Sequence, residues 1–206
     1  PDGEEGYPAE VTTEVIYRLD GPKLQIEYHA RSNHPTVINL TNHAYWNLSG
    51  RGAIEGHQLQ LNADRYLEAD DDVLVTGNIL NVVGTPYDFR KEKCIGQDLP
   101  ATGGGYDHCF VVNDWDETLR QAAVVTDPQS GRTMEVWTSE PGIQLYTANH
   151  FDGSSRSAGY GRHEAFCLEC QHFPDSPNQE DFPSTALRPG DEYRQYTEHH
   201  FSVRES

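Results

Sequence analysis

Val11-Thr12-Thr13-Glu14-Val15-Ile16-Tyr17-Arg18-Leu19-Asp20-Gly21-Pro22-Lys23-Leu24-Gln25-Ile26-Glu27-Tyr28-His29-Ala30 is the stretch that decides the fold. Val11, Thr13, Val15, Tyr17 and Leu19 alternate with Thr12, Glu14 and Arg18, a period of two that a strand produces and a helix does not. After Gly21-Pro22 the alternation resumes, with Leu24, Ile26, Tyr28 and Ala30 on one face and Lys23, Gln25, Glu27 and His29 on the other. Two alternating runs joined by a turn signal predict a β-hairpin. Outward from it the same pattern predicts strands over 36–39, 57–61, 107–112, 122–126, 133–138, 143–149, 165–171 and 192–203. Asp127-Pro128-Gln129-Ser130-Gly131 reads as the turn between two of these. Short strands punctuated by 18 Gly and 12 Pro, with almost no amphipathic helix, predict an all-β antiparallel sandwich or barrel-like fold.

The 206 residues carry no repeat, low-complexity tract or linker and are expected to form one domain, 1–206. Asp and Glu number 33 against 15 Lys and Arg, a net charge of -18. That balance excludes a nucleic-acid backbone binder and disfavours anionic membrane surfaces and polyanionic ligands. Three Lys (Lys23, Lys91, Lys93) beside twelve Arg also fit a high-salt surface. The Asp70-Asp71-Asp72 run reads as a solvated loop. No apolar stretch reaches membrane-spanning length. The opening Pro1-Asp2-Gly3-Glu4-Glu5, without an initiator Met, is expected to follow further chain upstream. Cys94, Cys109, Cys167 and Cys170 lack the second Cys pair of a zinc site, so they read as free buried thiols in a reducing, cytoplasmic setting.

Three polar clusters interrupt the strand background. Asn39-Leu40-Thr41-Asn42-His43-Ala44-Tyr45-Trp46-Asn47-Leu48 gathers amides, a hydroxyl, an imidazole and two aromatics. It reads either as a strand end with a satisfied core His or as a site with His43 oriented by Asn39, Thr41 and Asn42. Gly103-Gly104-Gly105-Tyr106-Asp107-His108 is either a turn or a place where backbone approaches a ligand and Asp107 holds its hydroxyls. In Phe166-Cys167-Leu168-Glu169-Cys170-Gln171 the alternation puts Cys167, Glu169 and Gln171 on one face. Glu169 then faces solvent or a cleft, and in a cleft desolvation raises its basicity toward that of a general base. Gln144, within Gly142-Ile143-Gln144-Leu145-Tyr146-Thr147, adds a hydrogen-bonding side chain on a strand. No nucleophile elbow, H-E-x-x-H helix or convincing metal set is present.

Taken in order, seven segments resemble the aldose 1-epimerase (galactose mutarotase) family along essentially the whole chain. They are Pro1-Asp2-Gly3-Glu4-Glu5-Gly6-Tyr7-Pro8, the 39–48 cluster, Val83-Gly84-Thr85-Pro86-Tyr87-Asp88-Phe89-Arg90, Gly105-Tyr106-Asp107-His108, Pro141-Gly142-Ile143-Gln144-Leu145-Tyr146-Thr147, Cys167-Leu168-Glu169-Cys170-Gln171, and Phe182-Pro183-Ser184 with Leu187-Arg188-Pro189-Gly190. The resemblance implies an antiparallel β-supersandwich with a sugar cleft and neither metal nor cofactor. Carried over by position, His43 is the expected general acid and Glu169 the general base. Asp107, Gln144, Asn42 and Tyr45 are expected to bind the sugar. Tyr45, Trp46 and Tyr146 could each pack on a sugar face or on the core. Trp46 and Cys170 stand where other members often carry Phe and Thr.

The implied reaction interconverts the anomers of a free hexose such as galactose or glucose. The base takes the C1 hydroxyl proton, the acid protonates the ring oxygen, and the opened aldehyde recloses on its other face. The family also implies a preceding segment, roughly the opening third of the protein, bringing further strands and sugar contacts. It is expected from the same chain or from a second one. Three other readings use the same residues: a hexose-6-phosphate epimerase, a non-catalytic sugar-binding module, and an inactive fragment of the enzyme. The first would need an Arg or Lys cluster, which the motif regions lack.

Overall fold

A computed structural model describes residues 1–70 and 72–204. The alternating stretch forms the expected hairpin of β1 (Val11–Asp20) and β2 (Lys23–Ser32), in register from Val11 opposite Ser32 to Asp20 opposite Lys23. Gly21 makes the turn at φ +55°, a left-handed conformation that glycine adopts without steric cost. The chain continues through β3 (Thr36–Val37), β4 (Gln58–Leu61), β5 (Arg65–Ala69), β6 (Val75–Asn81), β7 (Lys93–Cys94), β8 (Asp107–Val111) and β9 (Arg120–Thr126). It ends with β10 (Arg132–Thr138), β11 (Gly142–Tyr146), β12 (Cys167–Gln171), β13 (Ala186–Leu187) and β14 (Tyr193–Val203). Among the described residues helix is limited to short 3-10 turns, and no helix is long and apolar enough to cross a membrane. Asp70 and Asp72 are exposed, whereas Asp71 lies outside the described residues.

The strands pair antiparallel into a seven-stranded sheet, β1-β2-β14-β10-β9-β4-β7, and a five-stranded sheet, β12-β11-β8-β5-β6, with β3 and β13 as a separate pair. Leu59, Leu61, Val125, Met134 and Val136 from the first sheet meet Phe110, Ile143, Leu145 and Leu168 from the second in one buried core. Burying a side chain of this size contributes roughly 1.5–3 kcal/mol, so this interface holds the two sheets together. Because strand side chains alternate, the neighbouring positions Asp107, Gln144, Cys167 and Glu169 project from the other face of the five-stranded sheet.

Several boundaries differ from the sequence expectation, for physical reasons. β11 stops at Tyr146 because Ala148 turns left-handed at φ +49°. β3 stops at Val37, beyond which Asn39 and Thr41 bond through side chains instead. β5 and β6 escape the alternation pattern because their register shifts between Leu67 and Ala69. β7 and β13 are two residues each, too short to show a period. β1 pairs as predicted, yet Tyr17 and Leu19 remain 58% and 77% exposed. It is the edge of the larger sheet, so only β2 flanks it.

Candidate active site

Three adjacent strands build the floor of the site. In the register, Gln144 of β11 stands opposite Glu169 of β12, and Tyr146 stands opposite both Cys167 of β12 and Asp107 of β8. Gln144 and Asp107 are thus diagonal neighbours, and the Gln144 amide donates to Asp107 Oδ1 at 2.7 Å. Gln144 Oε1 is buried without a partner in the protein.

His43 comes from the irregular segment that runs along the outer edge of β12. Asn39 donates to the His172 carbonyl at 2.9 Å and accepts from the His172 N–H at 3.0 Å. Thr41 Oγ1 donates to the Cys170 carbonyl at 3.0 Å, and Trp46 and Phe166 exchange backbone bonds at 2.8 and 2.9 Å. Side chains therefore replace part of the backbone ladder, which frees the segment to aim His43 over the sheet face. The His43 Nε2 lies 3.5 Å from Glu169 Oε1, and Nδ1 lies 3.4 Å from Cys167 Sγ. A thiol is both a weak donor and a weak acceptor, so Cys167 can serve the imidazole in either protonation state.

The sequence expected Asn39, Thr41 and Asn42 to orient the imidazole ring itself. Instead they fix the backbone around it: Asn42 donates to Tyr17 Oη at 3.2 Å and accepts from the Ala44 N–H at 3.2 Å. Cys167, which touches the ring, was visible in the sequence only as a neighbour of Glu169 on the same strand face. Tyr45 stacks at 5.0 Å from the His43 ring and 4.9 Å from Phe151, and Tyr146 stands edge-on to both Tyr45 and His43. Trp46 packs instead against His199 and Phe201, on the core side. The glycines before Tyr106 make room for the protein's own side chains. A Cβ on Gly105 would sit 1.8 Å from Asn149 Oδ1, and the Gly104 carbonyl accepts from Arg162.

Burial pushes the Glu169 carboxyl above its ordinary value; the charge of His43 opposes this and that of Asp107 adds to it. The folded state therefore disfavours the ionised carboxylate. Its contribution to stability is full below the ordinary Glu value and is lost as pH rises through the raised one. Glu169→Gln is accordingly expected to melt above the unaltered protein at neutral pH in calorimetry, and an equal or lower Tm would contradict the burial argument. Tyr45 and Tyr146 are also shifted upward, chiefly by burial. Beyond Tyr45 and Phe151 opens a cleft of about 830 Å³ that Arg51, Arg156, Tyr160 and Glu164 also line. That Arg51 and Arg156, 105 residues apart in the chain by their numbers, line the same cleft was not legible in the motifs.

The antiparallel two-sheet architecture is that of the galactose mutarotase-like proteins. The chain belongs to the aldose 1-epimerase family, whose model matches residues 1–200. It is 44% identical over 209 residues to galactose mutarotase from Bos taurus and 35% identical over 212 residues to aldose 1-epimerase from Escherichia coli K12. These alignments cover 98% and 97% of this chain and 61% of each relative, so the chain spans about three-fifths of their length. Among solved structures, an aldose epimerase homologue from C. elegans superposes with a TM-score of 0.90 at 31% identity, covering 100% of this chain and 64% of that one. Galactose 1-epimerase from Lactobacillus acidophilus gives a TM-score of 0.87 at 30% identity, covering 100% of this chain and 61% of that one.

Proposed function

We propose that the protein is an aldose 1-epimerase that interconverts the α and β anomers of a free hexose, galactose or glucose. The observation that carries this reading is the 3.5 Å approach of His43 Nε2 to Glu169 Oε1. The C1 hydroxyl and the ring oxygen are bonded to the same carbon, so an acid and a base that serve both must themselves be close neighbours. Glu169, made more basic by burial, takes the C1 hydroxyl proton while His43 delivers one to the ring oxygen. The C1–C2 bond then turns and the two groups exchange roles as the ring closes. The unpartnered Gln144 Oε1 would accept a sugar hydroxyl, since leaving a buried acceptor unpaired costs about 1–3 kcal/mol. Asp107, anchored by the Gln144 amide, would hold another. Tyr45 offers its ring beside His43, and Asn42 keeps the segment in place. Residues 1–206 act as one unit in this reading, in the cytoplasm, where free thiols persist.

Polarimetry of freshly dissolved α-D-galactose, beside glucose 6-phosphate, tests the assignment. The expected result is accelerated mutarotation of the free sugar. Acceleration of the phosphate alone would instead favour a phosphosugar epimerase, for which Arg51 and Arg156 supply cations near the site.

Thr41 is a positioning residue in this scheme, holding the His43 segment to β12 through Cys170. Thr41→Val is expected to lower kcat about 2–10-fold, the value of one net hydrogen bond, with little change in KM. Thr41→Ser should restore the rate. A change confined to KM would place Thr41 in sugar binding instead.

A further inference from the structure

Cys167 brings a third kind of donor to the pair that the proposed reaction uses. The sulfur, one ring nitrogen of His43 and a carboxylate oxygen of Glu169 all lie within 4.8 Å of one another. The closest approaches are 3.4 Å between Sγ and Nδ1 and 3.5 Å between Nε2 and Oε1. A tetrahedral ion with bonds of about 2.3 Å to sulfur and about 2.0 Å to nitrogen or oxygen spaces its ligands roughly 3.3–3.5 Å apart. The two close approaches use opposite ring nitrogens, so with a single nitrogen the three donors stand wider than ligand spacing, up to 4.8 Å apart, and must draw together to reach it.

Two of the three are fixed by the backbone, because Cys167 and Glu169 are two residues apart on one face of β12. The third is adjustable: the His43 side chain is 51% exposed, so its ring can turn to offer a single nitrogen. A thiolate, an imidazole and a carboxylate make a donor set for a zinc-class cation and not for magnesium or calcium, which take oxygen alone. Cys170 cannot join it, since it lies on the opposite face of β12 within the core.

We propose that His43, Cys167 and Glu169 form a binding site for a divalent zinc-class cation, with solvent or a sugar hydroxyl in the fourth position. Binding exchanges the thiol proton for the metal: the S–H bond breaks, the sulfur lone pair bonds the ion, and the proton leaves to solvent. No oxidant or reductant is required. An occupied site takes up the lone pairs of both the imidazole and the carboxylate, so the cation inhibits proton transfer there. The cation site rests on the placement of three side chains; its inhibitory consequence rests on the epimerase reading.

Titration with Co²⁺ as a spectroscopic probe, in reducing buffer and without sugar, tests the site separately from any epimerase activity. The expected result is one equivalent of Co²⁺ with a thiolate-to-cobalt charge-transfer band and intense tetrahedral d–d bands, both lost on adding Zn²⁺. Cys167→Ser should abolish the charge-transfer band. His43→Asn, a change at a half-exposed ring that leaves the core untouched, should weaken binding by roughly 100-fold or more. Cys94→Ser, at a half-buried thiol outside the site, should change neither. A charge-transfer band that survives Cys167→Ser, or a Co²⁺ affinity unchanged in His43→Asn, would overturn the proposal. Either result would leave the epimerase reading untouched, because no sugar is present.

Discussion

Glu169→Gln is expected to slow mutarotation by roughly 10²–10⁴-fold, the usual share of a positioned acid or base, while the protein still binds galactose. Gln keeps the shape of Glu and can accept a hydrogen bond, but it cannot take a proton at any ordinary pH. Glu169 is buried on the β12 face, and that burial keeps its carboxyl above the ordinary range. The substitution therefore removes the property that the local structure enhances and little else. Ligand-observed NMR would follow galactose binding, and polarimetry would follow turnover. Near-normal turnover in Glu169→Gln would show that another group is the base. Loss of binding together with turnover would mean that Glu169 holds the sugar rather than reacting with it.

The second large effect concerns acid stability. His199 on β14 is 1% exposed against Trp46, and its Nδ1 has no partner in the protein. Burial, assisted by the neighbouring charge of His200, lowers its pKa from 6.5 to about 4. Between those values the unfolded chain binds a proton that the folded chain refuses. Stability from this group is thus complete above the ordinary value and is lost as pH falls toward the lowered one, by about 3 kcal/mol. His57 and His108, also lowered chiefly by burial, act in the same direction, whereas Glu169 acts in the opposite one. Urea unfolding at a series of pH values should show the decline, and His199→Phe, which keeps an aromatic ring against Trp46, should flatten it by about that amount. An identical pH slope in His199→Phe would refute the assignment.

Local pattern made part of this molecule legible. The hairpin of β1 and β2 follows from strict alternation around Gly21-Pro22, and the same alternation separates Glu169 from the core-facing Leu168 and Cys170. The candidate residues His43, Asp107, Gln144 and Glu169 lie on one sheet face, where alternation places the three strand residues and the 39–48 segment brings His43. What stayed illegible depends on contacts far apart in sequence. The bond from Thr41 to Cys170 joins positions 129 residues apart, and those between Asn39 and His172 join positions 133 apart. Neither leaves a periodic trace, because a side chain that bonds a distant carbonyl looks the same in sequence as one that bonds water. Alternation likewise reports pairing but not coverage, which is why Tyr17 and Leu19 follow the pattern and yet stand exposed. Arg51 and Arg156 become neighbours of one cleft only through folding.

In the proposed reaction His43 and Glu169 act as one acid–base unit on the same sugar carbon. The most direct test is the polarimetric rate on α-D-galactose for Glu169→Gln, His43→Asn and the double variant. If the two groups work in one concerted proton exchange, either single change already disables it, and the double variant should be about as slow as the slower single one. Losses that multiply in the double variant would mean that the two side chains contribute independently, and would contradict the account.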